Sequence, residues 1–529
     1  MAREWDVIVV GYGIAGVSAA IEASDAGARV LALDRSWGGG ASALSGGVIY
    51  AGGGTKYQKE AGFDDSPENM FNYMKHEVNG VVSDKTLRRF CDTSVEMISW
   101  LETQGCTFEA SLVPYKTSNP TDKYHLYFSG NEKAWPYNQD AIPAPRGHRQ
   151  VAPGIAQGAA LMANLLESAR SKGVEFRPLS RVESLIIEDG AVVGVRYRTM
   201  EPTGSGAQRY RLMRLLNKSG RLINWVPAVG TRLSHAMETM WEQNAHAAEA
   251  HATAVILSGG GFIFNPEMRT EHAGPYGDVR PLGTAGDDGS SIQLGLSAGG
   301  VTAQMHRFTA WRFFTPPSSL VEAVSVDGTG ERVANEDLYG ATFGRILAEK
   351  HGGRGYLVLD SDIWKQAKRQ VGWQSESIQR VQLRYLFTVG HEKANTLEAL
   401  AHKLRVPADA LQRTVKAYND GFLHESDPTH KALEYCRPIL KPPFYAIDVS
   451  LKNSEFFPVA GLTLGGLKVD EDTGGVLRAD GTTVPGLYAA GRTAVGICSE
   501  NYISGNSLAD GVFSGRRAGG CAASVGSTR

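Results

Sequence analysis

The chain has 529 residues, more than one hydrophobic core normally holds, so two or more domains are expected. Hydrophobic residues make up 42% and charged residues 21%, which is typical of a soluble globular protein. The formal net charge of -2 gives no basis for binding nucleic acid. The five cysteines are scattered without a C-x-x-C motif, which excludes a zinc ribbon, an attached haem and a disulfide framework, and no metal site is expected.

Targeting and membrane signals are absent from the sequence pattern. The first predicted strand begins within a few residues of Met1, which leaves no room for a signal peptide. No apolar run approaches the roughly 18 residues that a membrane-spanning helix needs. We therefore expect a cytoplasmic protein.

The N-terminal residues carry the pattern of a dinucleotide-binding unit. An apolar, β-branched run at residues 6–10 leads directly into GYGIAG at residues 11–16, a helical pattern follows, and a second strand over residues 29–33 ends at Asp34. In this context the glycines let the backbone approach a pyrophosphate, and the helix N-terminus supplies free N–H groups. Asp34 can accept hydrogen bonds from a ribose. We therefore predict that the chain binds a dinucleotide.

Three more glycine-rich signals follow. GGGASALSGG at residues 38–47 comes just after Asp34, where it can wrap the far end of the ligand, although alone it would be read as a loop. A buried-type strand at residues 254–257 runs into SGGG. A strand near the C-terminus reaches Gly491, and a helix of small residues follows at about 507–518. These signals predict one nucleotide-binding domain assembled from both ends of the chain.

The middle of the chain has a different character. Between residues 303 and 450 the glycines thin out, and helical patterns appear at residues 361–371, 396–404 and 407–420. The predicted fold class is therefore α/β. We expect a Rossmann-like domain from residues 1–302 and 451–529, with an inserted α+β catalytic cap domain at residues 303–450.

A basic stretch interrupts the first part of this domain at residues 202–237. It contains no acidic residue, and its basic residues are interleaved with Leu, Ile and Trp. The cations that we single out are Arg209, Arg211, Arg214, Lys218, Arg221 and Arg232. A basic amphipathic segment can lie on an anionic membrane surface, which would make the protein peripherally membrane-associated. The preferred alternative is an insertion packed on its own protein with its arginines in water.

The four glycine signals, in this order and over nearly the whole chain, resemble those of the fumarate reductase / 3-ketosteroid dehydrogenase family of flavoproteins. The family's late threonine-x-Gly-Gly motif is present at residues 463–466, and its cap-domain motif appears as VANE at residues 333–336. The resemblance implies FAD as the dinucleotide, with the cap domain over the isoalloxazine ring. Residues 38–55 contain no histidine, through which relatives tether FAD, so non-covalent FAD is expected.

The glycine signals and the resemblance together assign a set of residues to the cofactor. They are Gly11, Gly13, Ile14, Ala15, Gly16, Asp34, Arg35, Gly40, Ala41, Ser42, Ser45, Gly46, Gly47, Ser258, Gly259, Gly260, Asp288, Gly491, Arg492, Asn506, Ser507 and Leu508.

Departures from the family pattern indicate the branch. Reductases of small dicarboxylates have a histidine before the threonine-x-Gly-Gly motif, an Asn-Arg-Leu near the C-terminal helix, and a proton-donating arginine in the cap. The corresponding residues here are Leu462, Ser507 and Trp364, and His306 is either a retained family histidine or a structural residue. Burying two substrate carboxylates without cationic partners is prohibitive, so a fumarate-type substrate is disfavoured.

The segment at residues 498–511 resembles the catalytic segment of the ketosteroid branch. Its Tyr-x-Ser-Gly pattern, with Tyr502 and Ser504, is similar to that of 3-ketosteroid Δ4-(5α)-dehydrogenases, in which the tyrosine and serine face the flavin. Δ1-dehydrogenases have Tyr-x-Gly-x-Gly instead, where this chain has Ser504 and Asn506. A second tyrosine, which follows the cap motif in the Δ4 enzymes, is Tyr339. The resemblance thus implies Tyr502, Ser504 and Tyr339 as catalytic residues.

These residue types suit desaturation beside a carbonyl. Backbone N–H groups at the helix N-terminus, around residues 505–507, can stabilise the enolate-like oxygen, and the flavin accepts the β-hydride. Tyrosine is a poor base at its ordinary pKa of about 10, so Ser504 is the expected relay for Tyr502, and Tyr339 can polarise the same network. An apolar wall could come from Phe308, Trp311, Phe313 and Phe314, or from Trp135 and Tyr137.

The sequence therefore predicts an FAD-dependent dehydrogenase that desaturates a saturated cyclic ketone, foremost a 3-ketosteroid at the Δ4-(5α) position. Three alternatives stay open: a 3-ketosteroid Δ1-dehydrogenase, an enone or enoate reductase of the fumarate reductase family, and a non-catalytic flavin-binding electron-transfer protein. The partner that reoxidises the flavin is expected to be a quinone or another diffusible acceptor.

Overall fold

The computed structural model describes residues 4–154, 157–201, 208, 210–213, 227–452 and 458–527. These residues form a mixed α/β fold. One large sheet has a parallel centre, and a second, four-stranded sheet is formed entirely by residues between 324 and 448.

The large sheet draws its strands from both ends of the chain. Along the sheet the strands are Gly475–Leu477, Thr483–Ala489, His246–Leu257, Trp5–Val10, Val30–Leu33 and Glu175–Arg177. Ser180–Glu188 and Ala191–Thr199 extend it as an antiparallel pair beside His246–Leu257. The sheet confirms that one nucleotide-binding unit is assembled from both ends of the chain.

The register of the parallel strands places their carboxyl ends at one edge. Val10 pairs with both Leu33 and Leu257, and Leu257 pairs with Ala489. The residues that directly follow these strands therefore meet at the same edge, where open α/β sheets bind their ligands. Gly11, Asp34 and Ser258 directly follow three of these strands, and Gly491 comes two residues after the fourth, so these predicted residues lie at this edge.

Two helices from opposite ends of the chain pack against each other beside the large sheet. The first helix, Ile14–Asp25, lies against the C-terminal helix, Asn506–Ser527. Gly515 and Gly519 are four residues apart and so lie on one helix face. A Cβ on either glycine would collide with a backbone carbonyl of the first helix. The two helices thus pack backbone against backbone.

The inserted part of the chain builds the second sheet. Its strands lie in the order Val324–Asp327, Gly355–Leu359, Phe444–Asp448 and Glu392–Ala394, and all are antiparallel. The helices of this region are Gly340–Lys350, Ser361–Gln374, Ser377–Thr388, Leu397–Leu404 and Ala408–Leu423. The helices predicted from the sequence form with small shifts of their ends, whereas Gly340–Lys350 and Ser377–Thr388 were not predicted. The domain boundaries at 302/303 and 450/451 stay a prediction.

The remaining elements surround the sheet edge and support the site. The other helices are Lys56–Glu60, Pro67–Val78, Asp84–Asp92, Ser94–Thr103, Tyr137–Asp140, Gly158–Ser171, Pro227–Asn244, Pro266–His272 and Ser290–Ser297. A small sheet combines Val48–Tyr50, Gly147–Arg149 and Leu126–Tyr127, and two strand pairs join Arg280–Pro281 to Ala460–Gly461 and Thr302–Ala303 to Gly466–Leu467.

Most of the basic stretch at residues 202–237, including Arg209, Arg214, Lys218 and Arg221, lies outside the described residues. Of the described part, Tyr210 and Met213 are buried against Leu179, Met200 and Trp241. Within the described ranges, no helix combines the length and the apolar character needed to cross a membrane. Contact with a membrane surface through residues 202–237 stays a prediction.

Candidate active site

The glycine-rich turn after the first strand brings three backbone segments into direct contact. Gly11 has a φ of +92°, and a Cβ there would lie 2.7 Å from backbone atoms of Gly259. A Cβ on Gly16 would overlap the Gly11 carbonyl oxygen, to which the Ser258 hydroxyl also donates a hydrogen bond of 2.8 Å. No residue with a side chain fits at Gly11 or Gly16, so the turn keeps the close backbone approach that a pyrophosphate requires.

The first helix begins with an open N-terminus. Gly13 is its N-cap residue and provides no capping side chain. Ser42, on the short 3-10 helix Gly40–Leu44, accepts a hydrogen bond of 3.2 Å from the N–H of Ile14. The second glycine-rich stretch therefore lies directly against this helix end, whose remaining N–H groups favour an anion.

The other predicted residues of this stretch continue the turn that starts at the short 3-10 helix. Ala41 is on the short 3-10 helix, and Ser45 accepts a hydrogen bond of 3.2 Å from the N–H of Gly47. Gly47 has a φ of +65°, and the Gly46 carbonyl accepts a hydrogen bond of 3.3 Å from Arg149 Nε. The stretch is a structured turn, consistent with its predicted position against the ligand.

The carboxylate predicted to bind ribose is held at the end of the second strand. Asp34 is 8% exposed and accepts hydrogen bonds of 2.8 Å from the N–H groups of Tyr12 and Ser36. Each carboxylate oxygen has two lone pairs, so both can still accept from a ligand. Arg35 and Asp288, which were also assigned to the cofactor, form an ion pair with each other.

The C-terminal part of the cradle is built around a partly paired arginine. Arg492 Nη2 lies 2.6 Å from Asp287 Oδ1, while its buried Nη1 has no hydrogen-bond partner among the described residues. Gly260 has a φ of +90° and donates its N–H to the Thr493 hydroxyl at 3.0 Å. Gly491 has a φ of +60°. An unpaired, buried guanidinium nitrogen beside two glycines in the left-handed region fits a polar ligand in contact with this cradle.

Asn506 gives the strongest indication of a bound group. Its side chain is 0% exposed, and neither Nδ2 nor Oδ1 has a partner within the part of the chain that the structure describes. A buried amide without partners is costly, so it is expected to bind a ligand with both a donor and an acceptor. Asn506 begins the C-terminal helix, followed by Ser507 and Leu508. The residues present therefore fit FAD.

One of the backbone N–H groups predicted to stabilise the substrate oxygen is already hydrogen-bonded within the chain. The N–H of Asn506 donates to the Ile503 carbonyl at 3.2 Å and is engaged locally. Gly505, with a φ of +89°, turns the chain into the helix. The predicted role in stabilising an enolate-like oxygen is therefore left to the neighbouring N–H groups.

Four hydroxyl groups meet near this helix end. The hydroxyls of Tyr127 and Ser504 lie 2.9 Å apart. Tyr339 lies near Ser504 and is close enough for electrostatic interaction with Tyr502 and Tyr127. The structure thus brings together the three residues predicted to be catalytic, and it adds Tyr127, which the sequence reasoning missed.

Hydrogen bonds to the backbone hold the segment that carries Tyr502 and Ser504. The Ser504 N–H donates to the Ser129 carbonyl, and the Ser129 hydroxyl donates to the Ser504 carbonyl, both at 3.0 Å. The Tyr50 N–H donates to the Gly505 carbonyl at 3.1 Å. Because three bonds fix consecutive residues, the Ser504 hydroxyl is preorganised beside Tyr127.

Burial keeps the three phenols protonated. It raises the pKa of Tyr127 to about 12. Burial also raises the pKa of Tyr502, with a further contribution from Tyr127. The pKa of Tyr339 is raised well above its ordinary value by burial and by Tyr502, against an opposing effect of the Ser504 hydroxyl. At neutral pH the cluster is therefore a set of neutral hydroxyls that can donate or relay protons.

Part of the predicted aromatic wall lies beside these phenols. The ring centroids of Trp311 and Tyr502 are 5.1 Å apart, and those of Phe313 and Tyr339 are 5.3 Å apart. The remaining candidates lie elsewhere: Phe308 packs on Phe262 and Tyr276, Phe314 packs on Phe343, and Trp135 stacks on His430. Successive residues of an extended segment point to opposite sides, so Trp311 and Phe313, which are two residues apart, face the phenols together.

Two arginines that contact Glu500, two residues before Tyr502, are already paired. Arg307 Nη2 lies 2.9 Å and Arg345 Nη1 lies 3.1 Å from Glu500 Oε1, and Glu500 is buried. Two arginines held by one buried carboxylate are poorly placed to bind two more carboxylates from a substrate. Leu462, at the position of the dicarboxylate-branch histidine, is buried and apolar.

Two other residues singled out from the sequence, Trp364 and His306, are not part of the hydroxyl cluster. Trp364 is buried in the inserted region, stacked on Tyr445 with ring centroids 4.2 Å apart. His306 is exposed. Neither contributes a polar group to the hydroxyl cluster.

Comparison with known proteins gives the family. Residues 6–508 match the model of the FAD binding domain family. The chain is 39% identical over 503 residues to 3-oxo-5-alpha-steroid 4-dehydrogenase of Comamonas testosteroni, with 92% of each chain covered. It is 33% identical, with a TM-score of 0.82, to the crystal structure of 3-ketosteroid-delta4-(5alpha)-dehydrogenase from Rhodococcus jostii RHA1, covering 98% of this chain and 97% of that one.

A more distant structure shares the fold. The 3-ketosteroid delta1-dehydrogenase from Sterolibacterium denitrificans is 18% identical, with a TM-score of 0.68, and 99% of this chain and 100% of that chain are covered. These matches confirm the family resemblance and the assignment of FAD. The chain belongs to the FAD binding domain family of flavoproteins and is an FAD-dependent oxidoreductase.

Proposed function

We propose that this flavoprotein desaturates a saturated 3-ketosteroid to the 4-ene, a Δ4-(5α)-dehydrogenation. The hydroxyl cluster is the observation that carries the proposal: Tyr127 and Ser504 lie 2.9 Å apart beside Tyr339 and Tyr502. The names of two relatives support the substrate class. One is a 3-oxo-5-alpha-steroid 4-dehydrogenase, and the other was solved in complex with 4-androstene-3,17-dione.

In this proposal the protein moves one proton through its hydroxyls. The C–H bond beside the carbonyl breaks, and its proton passes to the oxygen of Tyr502 while Tyr502 passes its own proton to Ser504. Ser504 in turn passes its own proton to Tyr127, its hydrogen-bond partner at 2.9 Å, and Tyr127 releases its phenolic proton towards solvent, so that every hydroxyl is neutral again. A relay of this kind avoids a lasting phenolate, which burial disfavours at all three tyrosines. FAD supplies the acceptor for the hydride lost from the adjacent carbon.

The surroundings favour a neutral, apolar substrate. Trp311 and Phe313 offer ring surface next to the phenols, and Arg307 and Arg345 are held by Glu500. A ketone needs only hydrogen-bond donors for its oxygen, which neutral tyrosines provide. A dicarboxylate would need cations that are free to pair.

The decisive experiment is anaerobic mixing of the FAD-loaded enzyme with a 5α-3-ketosteroid while flavin absorbance is followed. We expect the flavin to bleach and the steroid product to carry the 4-ene by NMR. The matched control is the corresponding 3-hydroxysteroid, which lacks the carbonyl and should leave the flavin oxidised. A 1-ene product would reassign the enzyme as a Δ1-dehydrogenase.

Opposite outcomes would show a reductase. If the ketosteroid leaves the flavin oxidised while reduced viologen supports reduction of fumarate or of a 4-ene, the dehydrogenase proposal is wrong.

We further propose a diffusible acceptor such as a quinone for the reduced flavin. Adding a water-soluble quinone after bleaching should restore the oxidised spectrum faster than air does.

A further inference from the structure

A buried polar network lies beside the hydroxyl cluster, centred on Glu77. Glu77 Oε1 accepts hydrogen bonds from the Tyr73 hydroxyl at 2.6 Å and from Asn131 Nδ2 at 2.8 Å. Glu77 Oε2 accepts from Asn501 Nδ2 at 2.5 Å. Both asparagines also donate to the Thr342 hydroxyl, at 2.9 and 3.1 Å. We call these five residues the Glu77 network.

The Glu77 network touches both tyrosine-bearing segments. Asn131 Oδ1 accepts a hydrogen bond of 2.6 Å from the backbone N–H of Tyr339. Asn501 directly precedes Tyr502. Glu77 thus holds one asparagine that fixes the backbone of Tyr339 and a second that adjoins Tyr502. It lies on the helix Pro67–Val78, which contributes neither tyrosine.

Burying the Glu77 carboxyl costs free energy, which indicates that the network has a specific role. Glu77 is 0% exposed, and burial raises its pKa, although the hydrogen bonds from Tyr73, Asn131 and Asn501 oppose that rise. A buried carboxyl needs every one of its partners, because a half-satisfied polar network is less stable than an apolar core. Such a network specifies one arrangement of the segments that it joins.

We propose that Glu77 is a positioning residue that holds Tyr339 and Tyr502 at their working separation. It touches neither substrate nor flavin in this proposal and acts through Asn131 and Asn501. The consequence for turnover rests on the proposed dehydrogenase function, whereas the consequence for the two backbone segments does not.

The test compares three variants of the FAD-loaded enzyme. Glu77→Ala removes both acceptors, and we expect kcat to fall about 10- to 100-fold, the effect of a displacement of about 1 Å, with KM and FAD content nearly unchanged. Glu77→Gln keeps the shape and one acceptor, and the Asn501 amide can turn to accept from the new NH2 group, so most of kcat should return. Met70→Ala is the matched control, since Met70 is a fully buried apolar residue of the same helix.

Met70→Ala should lower the melting temperature without lowering kcat, because it removes apolar packing but no hydrogen bond of the network. A kcat loss in Glu77→Ala that Met70→Ala reproduces at equal loss of stability would overturn the positioning role. So would a Glu77→Ala enzyme with unchanged kcat.

Hydrogen exchange gives a readout that does not depend on turnover. Peptides covering residues 338–343 and 499–504 should exchange faster in Glu77→Ala than in the wild type, because the N–H of Tyr339 loses a fixed acceptor. Met70→Ala should not accelerate the two peptides together. If the wild type turns over no ketosteroid but Glu77→Ala still loosens both segments, only the proposed function fails. Unchanged exchange in both peptides would contradict the positioning itself.

Discussion

The nucleotide cradle and the hydroxyl cluster are built in different ways, although both reach the start of the C-terminal helix. The cradle consists of backbone turns in which Gly11, Gly16 and Gly260 leave no room for a side chain or require a positive φ. The hydroxyl cluster consists of side chains from residues 127, 339, 502 and 504, which come together only in the folded chain. Binding of FAD is therefore encoded locally, whereas chemistry on the substrate depends on long-range packing.

This difference predicts that the two regions can be disabled separately. A variant in the hydroxyl cluster should bind FAD normally and react slowly, whereas a variant in the cradle should lose FAD. The following substitutions test that separation in order of expected effect.

Tyr502→Phe should cause the largest change. Removing the hydroxyl that takes the substrate proton is expected to slow flavin reduction by about 10²- to 10⁴-fold, the contribution of a general acid–base group. Stopped-flow measurement of anaerobic flavin bleaching checks this, with the ratio of flavin to protein confirming that FAD is retained. Tyr57→Phe is the matched control, because the Tyr57 hydroxyl bonds to Glu102 outside the cluster. Unchanged bleaching in Tyr502→Phe would end its catalytic assignment.

Gly16→Ala should break the cradle and leave the cluster intact. The new Cβ would overlap the Gly11 carbonyl oxygen, so the turn must widen, and we expect FAD to bind about 10- to 100-fold more weakly. The affinity can be measured by titrating apoprotein with FAD and following flavin fluorescence. Gly372→Ala is the control, because a Cβ at that helical position meets nothing within 4 Å. Equal FAD affinity in Gly16→Ala and the wild type would contradict the backbone-contact account.

Tyr127→Phe sharpens the description of the cluster. It removes the hydrogen-bond partner of Ser504, and we expect flavin reduction to slow by about 2- to 10-fold, the equivalent of one lost hydrogen bond. Ser504→Ala should produce a loss at least as large, since it interrupts the relay next to Tyr502. The two rate losses can be expressed as activation free energies and compared with the loss in the double variant. If the two values simply add, the Tyr127 and Ser504 hydroxyls do not act as one chain.

The last prediction concerns the stability of the fold at alkaline pH and not the rate of the reaction. Burial raises the pKa of Tyr127 to about 12, while an unfolded chain loses the same proton near an ordinary pKa of about 10. The stability contributed by the neutral phenol is therefore fully present below about pH 10 and is lost as pH rises towards 12. Over that pH interval the unfolding free energy of the wild type should fall by about 2–3 kcal/mol more than that of Tyr127→Phe. Urea unfolding at pH 7, 10 and 11.5 measures this, and parallel curves for both proteins would contradict it.

Several elements of the fold could be predicted because their signals are local. The run at residues 6–16 and the strand that ends at Leu33 have apolar periodicity, glycine and a terminal acid within a short stretch, and the structure places them at one sheet edge. Helix Ala408–Leu423 was likewise visible from its periodicity. The helix Ser377–Thr388 was missed because its buried face is short, with Leu383, Leu386 and Phe387, and the exposed Val381 obscures the pattern.

Other features had no local signal. Tyr127 is one of 19 tyrosines, and long-range hydrogen bonds between Ser129 and Ser504 hold its segment beside Ser504. Phe308 and Phe313 looked alike as wall candidates, yet one packs on Phe262 and the other on Tyr339. Glu77 gave no signal either, because a single carboxylate in a helix carries no pattern.

The sequence by itself determined the dinucleotide cradle, the joining of both chain ends and the resemblance that implied Tyr502, Ser504 and Tyr339. Steric requirements of glycine and the periodicity of strands and helices act over a few residues, so they can be read along the chain. Only the tertiary structure decided that Tyr127 joins the hydroxyl cluster, that Glu500 holds Arg307 and Arg345, and that Glu77 links the two tyrosine segments. Those contacts join residues up to 424 positions apart, and their hydrogen bonds exist only once packing has excluded water.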